Sequence, residues 1–468
     1  METILAITPT ILTVVLAFIT KNVNYSLLVG LYTGCLVLTN FNILKAVNVV
    51  IDHITGVFAS GGNITTMMAI LLLGGMIRLL EKSGGVNGFV NFLTRSTNII
   101  NSKKKANLFS WLLGVIVFVS ANMSSLIVGA VSKPINDRFR TSHEKFAFIT
   151  HAGSCPVCVL LPLSSWGAYM ISLLDGAGVP NASGVMLQSI PLCIYVILAV
   201  FAVPIMIILG IDFGPMKKAE FRAEQYGQLD DPSSKAADEQ DISEMMDEKT
   251  ASAWVLVLPI LSMIVVTVFG MYVTGNGNIL EGAGMRSFLW GVLSGIFLGM
   301  VMIKAKSLLS FSEMNNHVYK GFESMIPIII ILVYALALGS IVKELKTGEL
   351  LAEAFVGILN PALLPVIVFG IAMLISFSTG SSWGTWAVMM PLVVPMATAM
   401  DVNLALIAAT IWSGGTFGDQ SSPISDTTVV VSAATGCNII DHIKTQLPYT
   451  LAFAGISAVA FFLMGMVL

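Results

Sequence analysis

Charge is what this chain has least of. Of its 468 residues only 11% are Asp, Glu, Lys or Arg, against 56% hydrophobic, whereas a soluble domain carries about 25% charged residues. Mean hydropathy is +0.86. So few charges cannot cover a water-facing surface, and no stretch outside 213–250 is polar enough for a soluble domain. The net charge of −3 offers nothing to a nucleic-acid backbone, so no nucleic-acid partner is expected. There is no nucleotide-binding loop, metal-ligating cluster or triad-like grouping, and enzyme function is not expected. Cysteine is scarce too, with five residues at 35, 155, 158, 193 and 437, all in or beside apolar segments. Cys155 and Cys158 form a CxxC with no βαβ pattern around it, which reads as small packed residues rather than a redox pair. Residues 3–20 lack a basic leader and a cleavage site, so they read as a first span.

What is present is a series of apolar runs of about 20 residues, the signature of membrane helices. The expected class is an all-α polytopic membrane protein, multi-pass in the cell membrane with the bilayer as its solvent. Spans at 3–20 and 25–43 precede a mixed, interfacial stretch at 44–62 and a third span at 63–80. Arg78, Lys82, Arg95, Lys103, Lys104 and Lys105 then mark a cytoplasmic side. Segment 107–131 is basic at both flanks, with Lys133, Arg138, Arg140 and Lys145 beyond it, and is broken by SANMSS at 120–125. Such a segment is expected to be a re-entrant hairpin, because irregular backbone is tolerated where protein or a cavity surrounds it. Residues 145–172 read as a crossing interrupted at 151–155 and at PLSS (162–165). The loop DGAGVPNASG (175–184) has no Lys or Arg, and 186–211 return. Residues 213–250 hold Lys217, Lys218, Arg222, Lys235 and Lys249 among many acids, and read as a solvated cytoplasmic linker.

The second half follows the same order: spans at 252–274 and 286–303, an interfacial stretch at 307–322, then a span at 324–342. A hairpin at 363–400 is broken at STGSSWGT (378–385), a broken span covers 403–435, and a last span covers 448–468. Small residues keep the same spacing in each half. Gly75 and Gly84 match Gly339 and Gly348; Ser124 and Ser125 stand before Pro134 as Ser381 and Ser382 stand before Pro391; Pro162 matches Pro423. Residues 1–212 and 251–468 are therefore expected to be two inverted repeats, each five transmembrane helices plus a re-entrant hairpin. Both termini are then outside, and the broken helices meet at a midplane site, as in secondary transporters.

The stretch GTFGDQSSPISDTT (415–428) sets two carboxylates and a row of hydroxyls in an apolar run. An Asp at the centre of a membrane helix costs about 2.5–3.5 kcal/mol, which makes function the default reading. Asp419 and Asp426 flank Pro423, which interrupts the helix between them. Unwound carbonyls, hydroxyls and a carboxylate form an oxygen shell suited to sodium, so Asp419 and Asp426 are the candidate sodium ligands. A carboxylate binds a proton or sodium but not both well, which is a basis for antiport. The competing reading is that one Asp caps the following half-helix. By the Pro162–Pro423 register the counterparts are Cys158 and Ser165, both uncharged, so the first broken span would supply neutral ligands, Ser164 and Ser165. Ser124, Ser125, Ser381 and Ser382, with Asn122 and Thr379, could complete the shell from the hairpin tips; backbone bonding within helices competes with that reading. His151 is either a proton relay or a packed, hydrogen-bonded residue. Trp383, Trp166, Trp386 and Trp412 gather near the breaks, either as interface anchors or as cavity walls for an organic substrate. No Arg or Lys lies in a break, so an anion there would need a helix N-terminus.

GTFGDQSSPISDTT followed by GCNIIDHIKTQLPY (436–449) resembles the NhaC family of sodium/proton antiporters, and STGSSWGTW (378–386) is similar to that family's hairpin motif. The resemblance spans essentially the whole chain. It implies membership of the wider ion-transporter superfamily, in which two hairpins pair with two broken helices, and a homodimer working by an elevator motion. It also implies an ion site of Asp419, Ser422, Pro423, Ser425, Asp426 and Thr427, sodium as coupling or transported ion, and no cofactor. Asp441, His442 and Gln446 match the following family element, which the topology above puts at the cytoplasmic end as a gate. Some relatives resemble sodium-linked malate/lactate exchangers and others amino-acid carriers. The expected function is exchange of cytoplasmic sodium for protons by alternating access. The alternative is sodium-coupled movement of a small organic carboxylate or amino acid.

Overall fold

A computed structural model describes residues 2–94, 100–118, 120–162, 164–234, 250–278, 282–347, 350 and 360–468, with no strand among them. Arg95, Lys235, Lys249 and Gly348 lie outside the described residues. Helix α1 (Glu2–Thr20) and α2 (Val23–Leu38) are followed by a 120° turn into α3 (Ile43–Ala59). Helix α3 buries only Ala46 and Val57 and exposes Ile43, Leu44, Val47, Ile51 and Phe58, as a helix lying along an apolar surface does. Then come α4 (Gly61–Lys82) and α5 (Gly85–Thr94). Helices α6 (Lys103–Ile116) and α7 (Ala121–Arg138) follow, and α8 (His143–Leu160) and α9 (Ser165–Gly176) bend by 41° at their break. Helices α10 (Ala182–Ser189) and α11 (Ile194–Leu209) bend by 45°, and α12 (Gly214–Tyr226) follows.

In the second half, α13 (Trp254–Thr274), α14 (Gly284–Ala305) and α15 (Phe311–Glu344) precede a hairpin of α16 (Leu364–Thr379) and α17 (Ser382–Ala399). The broken pair α18 (Leu404–Ser421) and α19 (Asp426–Thr435) leads to α20 (Ile439–Val467). Among the described residues six helices are long and apolar enough to cross a membrane, or up to nine if each bent pair is one span. The molecule is a polytopic membrane protein.

Helix α15 departs from the expected interfacial stretch and separate span, because it runs unbroken for 34 residues. A capping box starts it: Ser310 Oγ accepts from the Glu313 amide at 3.2 Å, and Glu313 Oε2 accepts from the Ser310 amide at 2.7 Å. Its early turns then lie on α4 where glycines let the backbones touch. A Cβ on Gly321 would stand 2.4 Å from the Gly74 carbonyl oxygen and 2.5 Å from the Gly75 Cα. Small residues at such crossings replace the hydrophobic drive that lipid removes. Helices α13 and α14 cross likewise, at Gly291 against the Met263 carbonyl (2.4 Å from a built Cβ). These four helices form one wall. Because only backbone atoms oppose Gly321, Gly321→Ala should lower the thermal midpoint of the purified protein by overpacking, at a cost of about 1–3 kcal/mol. Gly455→Ala, where nothing lies within 4 Å, should leave the midpoint in place. Equal midpoints for the two variants would contradict the packing.

Residues 213–250 are not wholly the solvated connection expected. Their first part is pinned to the ends of α6 and α8, because burial selects paired charge. Lys103 Nζ meets Glu220 Oε2 at 2.6 Å and Glu224 Oε1 at 2.9 Å; Lys145 Nζ meets Asp212 Oδ2 at 2.7 Å and Glu220 Oε2 at 3.4 Å. Arg222 reaches Glu144 at 2.8 Å. Residues 235–249 lie outside the described residues. Burial acts to raise the Glu220 carboxyl, but Lys145 and Lys103 outweigh it and hold it below its ordinary 4.5. A depressed carboxyl contributes stability above its unfolded value and loses it as pH falls through the folded one. Glu220→Gln should therefore speed amide hydrogen exchange across 214–226 at neutral pH. The difference from the native protein should vanish at pH values well below 4.5. Equal exchange at neutral pH would show that these pairs do not hold α12.

Candidate functional site

Both hairpin tips and both breaks converge. Helix α18 stops where Pro423 removes a backbone donor, and Ser422 and Ser425 take extended backbone (φ −85°, ψ 131° and φ −70°, ψ 137°) before α19 resumes. Gly380 ends α16 at φ +67°, a left-handed position that favours glycine. A Cβ there would also stand 2.9 Å from the Ile424 carbonyl, so the hairpin tip rests on the break itself. Helix α18 turns a glycine face to the hairpin: built Cβ atoms would stand 2.8 Å from the Phe369 oxygen at Gly414, 2.1 Å from Trp386 Nε1 at Gly415 and 2.2 Å from the Phe377 amide at Gly418. That close approach carries Asp419 to the first turn of α17.

Asp419 is 1% exposed. Its Oδ2 accepts from Ser382 Oγ at 2.8 Å and faces Cys155 Sγ at 3.7 Å. Its Oδ1 accepts from Ser425 Oγ and, at 3.1 Å, from Thr427 Oγ1. Thr428 Oγ1 donates to its backbone carbonyl at 3.1 Å. Every donor is neutral, and no ion pair among the described residues engages this carboxylate. Asp426 differs. It is exposed, opens α19 behind the N-cap Ser425, and meets Asn122 Nδ2 at 3.5 Å. Neither aspartate is the capping residue.

The remaining candidates divide. Ser382, Ser425 and Thr427 stand on Asp419, while Asn122, Ser165 and Trp383 join Asp426 around a chamber of about 910 Å³. Ser124 donates to the Gly114 carbonyl at 3.0 Å, and Ser125 to the Ala121 carbonyl at 2.9 Å and to Ser154 Oγ at 3.1 Å. Thr379 donates to the Ile375 carbonyl at 2.9 Å. Ser164 and Ser381 cap α9 and α17 by accepting from the Gly167 and Gly384 amides at 3.1 and 3.2 Å. Ser422 Oγ accepts from the Ile424 amide at 3.5 Å. The four tryptophans stack continuously, with Trp166 5.3 Å from Trp383, 5.4 Å from Trp386, and Trp386 5.3 Å from Trp412. Only Trp166 and Trp383 line the chamber; Trp386 and Trp412 are buried behind them.

His442 and Gln446 sit deeper than a gate would. His151 Nδ1 lies 3.2 Å from His442 Nε2 and 3.4 Å from Gln446 Nε2, and its Nε2 lies 3.3 Å from Thr427 Oγ1. Asp441 stays partly exposed, 3.8 Å from Lys444. Sequence reasoning missed Cys155 at Asp419, whose only earlier mark was a small residue in a packed helix. It also missed Arg78, Glu81, Lys320 and Glu323, which α4 and α15 bring to the chamber.

Two helix breaks, two helix-turn-helix pairs and a buried carboxylate between them are the parts expected of a secondary transporter of the membrane. A model of the "Na+/H+ antiporter family" matches residues 157–466, so the chain belongs to that family. An uncharacterized protein of Haemophilus influenzae is 30% identical over 98% of this chain and 90% of its own length. The Na+/H+ antiporter NhaC of Alkalihalophilus pseudofirmus is 31% identical over 28% of this chain and 30% of its own. In fold, the Alcanivorax borkumensis YdaH transporter superimposes with a TM-score of 0.60 at 13% identity, covering 88% of this chain and 86% of that one.

All five cysteines are buried, so a small water-soluble thiol reagent should leave the native protein nearly unlabelled. Asn122→Cys and Trp383→Cys should label rapidly through the chamber, and Ser382→Cys should resist. Equal labelling of all three would contradict the separation of chamber from buried shell.

Proposed function

We propose that this chain exchanges cytoplasmic sodium for protons by alternating access, with Asp419 as the group that holds either ion. The observation that carries this reading is a fully buried carboxylate with neutral donors only, joining the second hairpin to both halves of a broken helix. A buried charge without a partner is costly, so the carboxylate needs a positive charge, brought as a proton or as sodium. The three hydroxyls that donate to it can instead turn lone pairs toward a cation, since a hydroxyl is both donor and acceptor. The two ions then compete for the same oxygens, and that competition couples their fluxes. Asp426, exposed at the chamber, supplies negative potential that draws a cation inward.

The elevator motion is supported by the distribution of these groups. The side chains named above lie on α7, α8, α9, α17, α18 and α19, while the facing wall of α4 and α15 gives none to Asp419. The paired order of hairpin and broken helix supports two inverted repeats, and the basic residues around α6 and α12 support a cytoplasmic linker with both termini outside. A homodimer follows from the family resemblance alone. An organic carboxylate or amino acid as a second cargo is favoured by one observation, the size of the chamber.

Proteoliposomes holding a pH dye test the reading. A sodium pulse without any organic solute should move protons, and Asp419→Asn should reduce that movement to the level of empty liposomes. Asp426→Asn should raise the sodium concentration needed. No proton response to sodium in the native protein, or full activity in Asp419→Asn, would overturn the assignment.

A further inference from the structure

The chamber is larger and more charged than a sodium path requires. Its volume of about 910 Å³ lies in the range of small-molecule sites, about 300–1,000 Å³. One wall presents the starts of α7 (Ser120, Ala121, Asn122), α9 (Ser165, Trp166), α17 (Trp383) and α19 (Asp426, Thr427). The first turns of four helices therefore border one space, and a helix N-terminus is equivalent to roughly half a positive charge. A bare cation gains nothing from them; a carboxylate does. Asn122, at the same wall, has an Oδ1 that is buried without a partner among the described residues.

The facing wall carries side-chain charge. Arg78 and Glu81 end α4, and Lys320 and Glu323 lie in the early turns of α15. Arg78 pairs with Glu81 at 3.4 Å, but no ion pair among the described residues engages Lys320, Glu323 or Asp426. Unpaired charges of both signs thus face one cavity that is walled by Trp166 and Trp383. A dianion would meet three carboxylates, Glu81, Glu323 and Asp426. A simple amine would meet four positive helix ends. A solute with one carboxylate and one ammonium satisfies both.

We infer that the chamber between α4, α15 and the four helix N-termini binds a zwitterionic organic solute of the α-amino-acid type. Its carboxylate lies at the starts of α7 and α9, reinforced from across the chamber by Arg78 and Lys320. Its ammonium lies at Asp426, and its side chain lies along Trp166 and Trp383. This site rests on the second-cargo reading above, whose solute it specifies, and stands whether or not sodium/proton exchange occurs.

The test uses the full-length chain carrying Ser324→Cys, an exposed chamber position with no part in the proposed contacts, with the rate of thiol labelling as readout. L-leucine, L-methionine, L-phenylalanine, L-glutamate and L-arginine are titrated in turn, beside malate, lactate, isocaproate (leucine without its amine) and isoamylamine (leucine without its carboxylate). At least one amino acid should slow labelling saturably and should drive counterflow of its own radiolabelled form in proteoliposomes, while isocaproate and isoamylamine do neither. Loss of a charge-assisted contact is worth roughly tenfold in affinity, so Lys320→Gln and Arg78→Gln should each shift the protecting concentration upward by about that factor. Lys320 is exposed and unpaired, so its variant remains informative if Arg78→Gln misfolds. Protection by malate or lactate but by no amino acid would overturn the zwitterion assignment. No protection by any solute would reduce the chamber to an ion vestibule and overturn the site. Sodium-evoked proton movement, measured in the same vesicles without solute, separates the two readings: its absence overturns the antiport and leaves amino-acid protection standing.

Discussion

A carboxylate sealed from water with no opposing charge is the constraint to which the rest of this molecule answers. Asp419 could be buried in many ways that cost less, by a lysine beside it or by exposure at a surface. Instead it is held by hydroxyls from Ser382, Ser425 and Thr427, and flanked by Cys155. Neutral donors soften the cost of a buried charge without cancelling it. A site so arranged remains short of one positive charge, and a mobile ion can supply what a fixed lysine would have occupied permanently.

Delivering four groups from three helices to one carboxylate needs broken backbone inside the membrane, and the local sequence provides it. Pro423 and Gly380 stop two helices at the same depth, and the tip of one rests on the break of the other. Ser120, Ser164, Ser381 and Ser425 then open the four helices that leave the centre, the first three with side chains accepting from backbone amides. Glycines set the spacing: Gly414, Gly415 and Gly418 bring α18 onto the hairpin, and Gly129 brings α7 within 2.3 Å of the Ala434 carbonyl if a Cβ is built. One consequence is that the first turns of four helices border one chamber. The buried carboxylate lies on the sealed side of this centre, and charged side chains of both signs line the open side.

Helix ends in this chain are legible from sequence because prolines, glycines and capping serines act locally. Asp419 stands out for the same reason, since a carboxylate in an apolar run has no local excuse. Helix α15 was not legible. A polar first third reads as an interfacial stretch unless one knows that Gly321 meets Gly74 and Gly75, more than 200 positions away. The first part of the linker was misread because its charges look solvated until Lys103 and Lys145 are found opposite Glu220. The serines show the limit most clearly. Ser381 and Ser382 are indistinguishable by composition, yet one caps a helix and its neighbour holds Asp419. Which of two adjacent hydroxyls faces the site is set by the phase of α17, and phase is a tertiary property.

The central claim is that one carboxylate trades a proton for sodium. Infrared difference spectroscopy of the reconstituted protein reads this directly, as the C=O stretch of a protonated carboxyl under perfusion with and without sodium. Sodium should erase such a band in the native protein and in Asp426→Asn, and no band should respond in Asp419→Asn. A sodium-sensitive carboxyl band that survives in Asp419→Asn would place the exchange at another residue and contradict the account.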